Sequence, residues 1–429
     1  MTSSCSSLFG IWKVLFHAQS MNSKMEGEKL IRANTGFALD LFKVLSHNKN
    51  GDNVFLSPLS ISTALAMTYL GARSKTAEQM ADVLKFGEVN PDHLHSSFSD
   101  LGQNLLKFQG FQILTNLRQL LVGGDNFTLH VANKLYGQEG YNFLQEFLGA
   151  TRKYYGAELE QVNFIKDAEG SRQTVNKWVE SQTKEKIKDL LPHGSIDDMT
   201  RLILVNAIYF KGDWNLKFNP DHTQDDDFTL VDGTKSKVPL MHMKKKFNYG
   251  ISEELNVQAL ELPYKGEKLS MVILLPKLAN GITDLEKKLT ADHLIDFEKT
   301  FNVRSKIEVN VYLPRFKMED SFDLGGTLSG MGMMDAFNDN AADFSGMNGQ
   351  RDLYISKVVH KSFLEVNEEG SEAAAATGTV MTLQCYIEPK MFRADHPFLF
   401  FIRENETKAV LFLGKFCGPA TGAKAKSEL

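Results

Sequence analysis

The sequence has few cysteines and no long apolar run. It contains three cysteines in 429 residues, Cys5, Cys385 and Cys417, and no two of them form a CxxC pair. An odd, dispersed set predicts neither a disulfide framework nor a zinc site, so we expect no metal and no cofactor. No stretch reaches the roughly 18 apolar residues that span a bilayer, so we expect no membrane partner.

The charge is balanced and is not clustered. The chain has 48 basic and 53 acidic residues, for a net charge of −5. Nucleic-acid partners usually require a basic surface, so we expect none here. The 42% of hydrophobic residues is ordinary for a globular protein and is enough for a large core.

The motifs of common enzymes are also missing. There is no Gly-x-Ser-x-Gly elbow, no P-loop and no HExxH, so the sequence predicts no hydrolase, nucleotide-binding or zinc-peptidase chemistry. His93 and His95 form an isolated pair without further ligands, and we expect them in a solvated loop.

The two ends carry competing targeting signals. Residues 8–16 form a short apolar run that Lys13 interrupts, which is poor for a signal peptide. The last four residues, 426–429 (Lys-Ser-Glu-Leu), are similar to a KDEL retrieval signal. Sequons at Asn126 and Asn405 are candidate glycosylation sites. Together these features favour the secretory pathway, either retained or extracellular, with the cytoplasm as the alternative.

Helix and strand signals are mixed along the chain. Ser57 as N-cap, Pro58 at the first helical position and Gly71 as a stop predict one helix. Residues 307–313 alternate between apolar and polar, which predicts a strand with one buried face. The apolar runs 398–402 and 409–413 flank a polar turn and predict a buried hairpin. Helices dominate early and strands late, so the predicted class is α+β.

One segment near the C-terminus is almost featureless. It consists of Glu368, Glu369, Gly370, Ser371, Glu372, Ala373, Ala374, Ala375, Ala376 and Thr377. By composition alone an alanine-rich helix is the ordinary interpretation, because alanine has the best helix propensity. The same residues also suit a strand that is exposed in one state and packed in a sheet in another.

This segment and several others resemble the serpin family, particularly its ovalbumin-like, intracellular-type branch. The similar segments are NVFLSPLSIS (53–62), LVNAIYFKGDW (204–214), LELPY (260–264), LPRFK (313–317), SKVVHKS (356–362) and ADHPFLFF (394–401). The resemblance implies one α+β domain with three β-sheets, about nine helices and an exposed reactive-centre loop.

The resemblance also predicts the domain organisation. We assign residues 29–417 to the serpin domain, with the reactive-centre loop at 368–393. Residues 1–28 would be an N-terminal extension, either a signal peptide or disordered, and 418–429 a flexible tail. The stretch 108–126 looks like a surface insertion.

The implied function is suicide-substrate inhibition. A protease cuts the loop and is trapped in a covalent 1:1 complex, and the hinge side of the loop inserts into the main sheet. In an inserted strand, side chains alternate between faces. One face would carry Ser371, Ala373, Ala375, Thr377, Thr379, Met381 and Leu383, which are all small or apolar. Glu372 would lie on the opposite, solvent-accessible face.

The reactive bond follows from the branch's usual spacing. The residue fourteen positions after Gly370 is Gln384, which places the bond at Gln384–Cys385, with Leu383 as the alternative P1 residue. No Lys or Arg occurs between Gly370 and Glu388, so we expect no trypsin-like target. A chymotrypsin- or elastase-like serine protease and a papain-like cysteine protease both remain open.

Five further residues match structural positions of the family. Ser57, Ser60, Asn206 and His360 match the polar cluster beneath the opening of the main sheet, called the shutter. Trp214 matches the tryptophan at the top of that sheet, called the breach. We expect a monomer, which could polymerise by inserting the loop of one molecule into the sheet of another.

A second function remains open from the sequence. A non-inhibitory serpin, acting as a chaperone or storage protein, would agree with the retrieval-like tail. Non-inhibitory members tend to have bulky, charged or proline residues in the hinge, and this chain has none on the hinge face that would be buried, Ser371, Ala373, Ala375 and Thr377. The inhibitor is therefore the leading hypothesis.

Overall fold

The computed structural model describes residues 4–49, 51–107, 127–303, 305–369 and 388–419. Side chains are described from residue 23 onward and, near the end of the fourth helix, up to residue 103. The predicted insertion 108–126, the hinge from Gly370 onward, the reactive bond and residues 420–429 lie outside the described residues.

The described residues form eleven α-helices. They are α1 (Ser4–Asn48), α2 (Pro58–Tyr69), α3 (Ser74–Val83), α4 (Pro91–Lys107), α5 (Gln145–Tyr155), α6 (Ala168–Gln182), α7 (Ile282–Lys288), α8 (Ala291–Ile295), α9 (Phe297–Thr300), α10 (Gly325–Gly330) and α11 (Ser345–Asn348). Three 3-10 helices cover Phe86–Glu88, Pro220–His222 and Asp335–Phe337. The count exceeds the expected nine because several are pieces of four to six residues.

The described residues also form fourteen strands. They are β1 (Val54–Leu56), β2 (Phe127–Gln138), β3 (Leu159–Val162), β4 (Leu202–Gly212), β5 (Gln224–Thr229), β6 (Lys235–Ser252), β7 (Val257–Pro263), β8 (Leu269–Pro276), β9 (Lys306–Pro314), β10 (Phe316–Asp323), β11 (Ile355–Val366), β12 (Lys390–Arg393), β13 (Phe398–Glu404) and β14 (Val410–Phe416).

The larger hydrogen-bonded sheet has nine strands, in the order β1-β14-β13-β8-β7-β6-β9-β12, with β5 also paired to β6. The long strand β6 joins two halves, because residues 240–248 pair with β9 whereas residues 248–252 pair with β7. Counted as two halves beside the smaller sheet, the strands form the three-sheet α+β architecture that the sequence predicted. The predicted hairpin is β13 and β14, both buried along their whole length.

The smaller sheet has five strands in the order β10-β11-β4-β2-β3. Strand β4 is buried on both faces, as expected for an apolar run such as LILVNAIYF. On one face Val205 and Ala207 pack with Val175 and Val179 of α6. On the other face Leu204 belongs to the main core beneath the helices. This sheet is called the main sheet below.

Two local predictions have different outcomes. Helix α2 begins at Pro58 after the N-cap Ser57, as predicted, and Gly71 follows shortly after its end. The prediction of a solvated loop around His93 and His95 is wrong, because both lie in α4. The ring Nδ1 of His95 is 2.6 Å from the Tyr155 hydroxyl oxygen, and burial lowers the pKa of His95 to about 4. Tertiary packing against α5 buries this face of the helix.

The remaining architecture concerns the ends and the surface. Helix α1 runs without interruption from Ser4 into the domain and packs against α2, α4 and α8. The boundary at residue 28 therefore falls inside a helix and stays a prediction. Among the described residues, no helix is both long and apolar enough to cross a membrane. The described His, Cys, Asp and Glu side chains form no group of three that could hold a metal ion.

Candidate functional site

The central feature of the main sheet is its parallel seam between β4 and β11. The two strands pair from Ile355 and Leu202 at one end to Glu365 and Lys211 at the other. Strand β11 also pairs antiparallel with β10, and β4 pairs antiparallel with β2. Parallel pairing is slightly weaker per residue than antiparallel pairing. The other parallel pairing of this sheet, between β2 and β3, has only four register partners and lies at the sheet edge, so the β4–β11 seam is the long parallel pairing inside the sheet.

The predicted shutter residues lie together in the middle of this seam. His360 on β11 is the register partner of Asn206 on β4, and their side chains are hydrogen-bonded. The Asn206 amide nitrogen donates to Ser60 Oγ. The backbone N–H of Ser57 donates to His360 Nε2 at 3.2 Å. The structure therefore brings all four residues together, and their role in sheet opening stays a prediction.

The hydrogen bonds determine the protonation state of His360. Because Nε2 accepts from the backbone of Ser57, the ring proton is on Nδ1 and is donated to the Asn206 carbonyl oxygen. The side chain is fully buried, and burial lowers its pKa to about 3. The histidine is therefore neutral and bonded on both nitrogens.

Asn133 belongs to the same cluster, and the sequence analysis missed it. It lies on β2 and accepts hydrogen bonds from Ser60 Oγ, at 3.0 Å, and from the Asn206 amide nitrogen. The cluster thus connects α2 with three adjacent strands of the main sheet. The available signal was a polar residue within the strand segment 127–138, but a single asparagine does not reveal its partner.

The Ser57 side chain bonds to a strand of the larger sheet rather than to the helix that it precedes. Its hydroxyl makes no capping bond to α2. Instead it donates to the Leu411 carbonyl oxygen of β14 at 2.7 Å, and Ser362 Oγ donates to the Phe55 carbonyl oxygen of β1 at 2.8 Å. The first bond joins the start of α2 to the larger sheet, and the second joins the main sheet to the larger sheet.

Trp214 lies at the top of the seam, just beyond the end of β4. Its indole is 3% exposed and stacks on Tyr264 at a centroid distance of 4.6 Å. The indole nitrogen donates to the Asn367 carbonyl oxygen at 2.8 Å, and its backbone N–H donates to the Glu369 carbonyl oxygen at 3.1 Å. Trp214 thus contacts the chain where it leaves β11 and enters the hinge.

The first hinge residue, Glu368, is buried and bonded. Its Oε1 accepts from Thr223 Oγ1 at 2.7 Å and lies 3.4 Å from Arg315 Nη1. Beside it is a cavity of about 630 Å³. The cavity is lined by Lys217, Phe218, Pro220, Arg315, Phe316, Lys317 and residues 365–369.

The described ends of the loop show what it connects. On the hinge side the chain leaves β11 of the main sheet, and on the other side it resumes at Glu388 and enters β12. Strand β12 pairs with β9 at the edge of the larger sheet. The hinge residues from Gly370 to Thr377 and the candidate P1 and P1′ residues Leu383, Gln384 and Cys385 lie outside the described residues.

Of the two sequons, only Asn405 is described. Its amide nitrogen donates to the Glu267 carbonyl oxygen and to Ser270 Oγ, both at 2.8 Å. A glycan on that nitrogen would replace one of its two hydrogens and would break at least one of these bonds. Glycosylation at Asn126 stays a prediction, whereas the two bonds of Asn405 oppose glycosylation at that residue.

The comparisons with known proteins agree with this geometry. A sequence model of the family described as Serpin (serine protease inhibitor) matches residues 32–419. The leukocyte elastase inhibitor of Homo sapiens is 48% identical over 396 residues, which cover 91% of this chain and 100% of that protein. The inhibitor of the same name from Equus caballus is 46% identical with the same coverage.

Solved structures show the same fold. Uncleaved ovalbumin aligns with a TM-score of 0.79 and 33% identity, over 91% of this chain and 100% of that chain. Maspin aligns with a TM-score of 0.81 and 30% identity, over 92% and 100%. Both the family match and the relatives cover most of the chain. The chain therefore belongs to the serpin family, which is described as the serine protease inhibitor family.

Proposed function

We propose that this protein inhibits its target as a suicide substrate, by inserting its cleaved reactive loop between β4 and β11. The observation that carries the proposal is the parallel β4–β11 seam, with the hinge beginning directly after β11. A loop that folds back from the end of β11 runs antiparallel to it. Because β4 is parallel to β11, the same loop is antiparallel to both strands.

Insertion changes the pairing of the sheet in a favourable direction. One parallel pairing of ten register partners is replaced by two antiparallel pairings, which are slightly more stable per residue. The inward-facing residues Ser371, Ala373, Ala375 and Thr377 are small enough to pack without strain. About fourteen inserted residues at roughly 3.3 Å each would carry an attached protease almost 50 Å.

The chemical step is acyl transfer. The protease nucleophile attacks the P1 carbonyl carbon, and an ester or thioester forms as the P1–P1′ peptide bond breaks. The new amine takes a proton and leaves with the C-terminal fragment. We place this bond at Gln384–Cys385, with Leu383–Gln384 as the alternative.

The target class is an elastase- or chymotrypsin-like serine protease. The relatives named leukocyte elastase inhibitor support this choice, and so does an apolar P1 at Leu383. A papain-like cysteine protease is the second class. If Gln384 is the P1 residue, Leu383 is an apolar P2 residue, which suits such enzymes. A trypsin-like target is excluded from the proposal, since residues 371–387 contain no Lys or Arg.

The proposed state is a monomer that forms a covalent 1:1 complex and binds neither nucleic acid nor membranes. Separation of the β4–β11 seam without cleavage would let the loop of a second molecule enter and start a polymer. The Lys-Ser-Glu-Leu end supports a place in the secretory pathway, with the cytoplasm as the alternative. The same tail favours the second candidate function, a non-inhibitory chaperone or storage protein.

The test is incubation with trypsin, chymotrypsin, neutrophil elastase and cathepsin L, followed by denaturing gels and mass spectrometry of the released peptide. An SDS-stable complex and a peptide that begins at Cys385 or Gln384 are the expected result. Cleavage without a complex, and without a rise in the thermal stability of the cut protein, would contradict inhibition and support the alternative.

A further inference from the structure

The hinge is held across the seam by an ion pair. The Lys211 ammonium, at the end of β4, contacts the Glu369 carboxylate just beyond the end of β11. The Glu369 backbone carbonyl oxygen also accepts from Trp214 N–H at 3.1 Å. The chain after β11 therefore leans toward β4 at the point where an inserting strand would have to enter.

Lys211 occupies the last register position of the seam. Its partner across the seam is Glu365, so one ammonium faces a carboxylate on β11 and another on the hinge. A strand that enters between β4 and β11 must separate Lys211 from both. Each partner stabilises the charged form of the other. The Lys211 ammonium lowers the pKa of Glu369, and the Glu369 carboxylate raises the pKa of Lys211.

Other ion pairs of the main sheet have a different position. Lys357 pairs with Asp323 at 2.9 Å, and Lys361 pairs with Glu319 at 2.8 Å; both connect β11 to β10. Insertion leaves β10 and β11 together. Among the ion pairs between described residues, Lys211–Glu369 is the one that joins β4 to the chain beyond β11.

We propose that the Lys211–Glu369 ion pair is a latch that keeps the seam closed and sets the rate at which the loop inserts. The inference rests on the proposed insertion step and assigns a regulator to it. Lys211 is a positioning residue here, since it acts through the hinge and not on the protease.

The size of the effect follows from exposure. The Lys211 and Glu369 side chains are 29% and 58% exposed, which is typical of a solvent-screened pair. Loss of such a pair should accelerate a step that breaks it about two- to fivefold. Salt should have a similar effect on the wild-type protein, because it screens exposed charges.

The test uses Lys211→Gln and Glu369→Gln, with Lys357→Gln as the matched control. The control breaks an ion pair of similar exposure, 26% and 52%, in the same sheet but away from the seam. The measurement is the rate at which the uncleaved protein takes up a synthetic peptide of residues 371–384, followed on native gels at about 0.05 and about 0.5 M NaCl.

We expect both latch variants to take up the peptide about two- to fivefold faster than the wild type at low salt. High salt should bring the wild type close to the variants, and Lys357→Gln should match the wild type. Rates that are equal in all four proteins would overturn the latch. If no protein takes up peptide and the protease panel yields no complex, the proposed function fails and the latch with it. If the wild type does both and the variants match the control, the latch alone is refuted.

Discussion

The indole nitrogen of Trp214 donates a hydrogen bond of 2.8 Å to the carbonyl oxygen of Asn367, and this bond ties the end of β4 to the residue that precedes the hinge. The contact lies where the proposed insertion would begin. Any opening of the seam from this end must break it. Trp214 is therefore a packing residue, and its role in sheet opening is a prediction.

The first prediction concerns this bond. Trp214→Phe removes the indole N–H and keeps an aromatic ring against Tyr264. We expect a loss of about 1 kcal/mol in the free energy of unfolding, because one hydrogen bond is lost and its acceptor is left unpaired. Urea unfolding followed by circular dichroism measures it. An unchanged midpoint would show that the bond contributes nothing to the free energy of unfolding.

A second prediction tests the residue that the sequence analysis missed. Asn133→Ala leaves the amide nitrogen of Asn206 without one of its acceptors and removes an acceptor of Ser60. The expected cost is about 1–3 kcal/mol, with faster polymerisation on mild heating. The matched control is Thr128→Ala, an exposed position on the same strand, which should change stability by less than about 0.5 kcal/mol. Equal effects of the two would remove Asn133 from the cluster.

The third prediction follows from the neutral His360. Its pKa is about 3 in the folded protein and about 6.5 in the unfolded chain. Between these values the unfolded state binds one more proton, so stability falls as the pH drops below about 6.5 and continues to fall toward pH 3. Urea unfolding at several pH values measures the slope.

Carboxylates also titrate in this pH range, so a substitution is needed to identify the contribution of His360. His360→Asn should reduce the proton uptake on unfolding near pH 5 by about one. Ser57→Ala, which removes only the hydroxyl bond to Leu411, should lower stability without changing the slope. The same slope in wild type and His360→Asn would contradict a neutral, buried histidine.

The fourth prediction tests the inward face of the hinge. Ala375→Arg would place a charge against the core of the main sheet, which costs several kcal/mol without a partner. The loop should still be cleaved, but the SDS-stable complex should fall by at least about tenfold. Ala374→Arg, on the solvent face of the same strand, is the control and should keep the complex. If both variants inhibit equally, the loop does not insert in this register.

The fifth prediction concerns Asn405. Its amide nitrogen lies in two hydrogen bonds, so we expect no glycan there even when the protein is produced in secreting cells. Peptide mass spectrometry before and after glycosidase treatment decides this. A modified Asn405 would mean that the turn opens before or during folding.

Much of the fold was readable from local pattern. The alternation in 307–313 predicted β9, the runs 398–402 and 409–413 predicted the hairpin of β13 and β14, and Ser57-Pro58 predicted the start of α2. These predictions were correct because side-chain alternation and helix capping depend only on residues that are close in sequence. The prediction of a solvated loop at His95 was wrong because packing against α5, far away in sequence, buries that face of the helix.

The sequence by itself determined the composition of the hinge, the alternation of its small residues and the absence of a basic residue near the reactive bond. Only the tertiary structure decided that β4 and β11 are parallel neighbours, that Asn133 joins the shutter and that Lys211 holds Glu369. The physical reason is distance along the chain. Asn206 and His360 are 154 residues apart, and a polar side chain carries no local mark of its partner until the sheet has brought the two together.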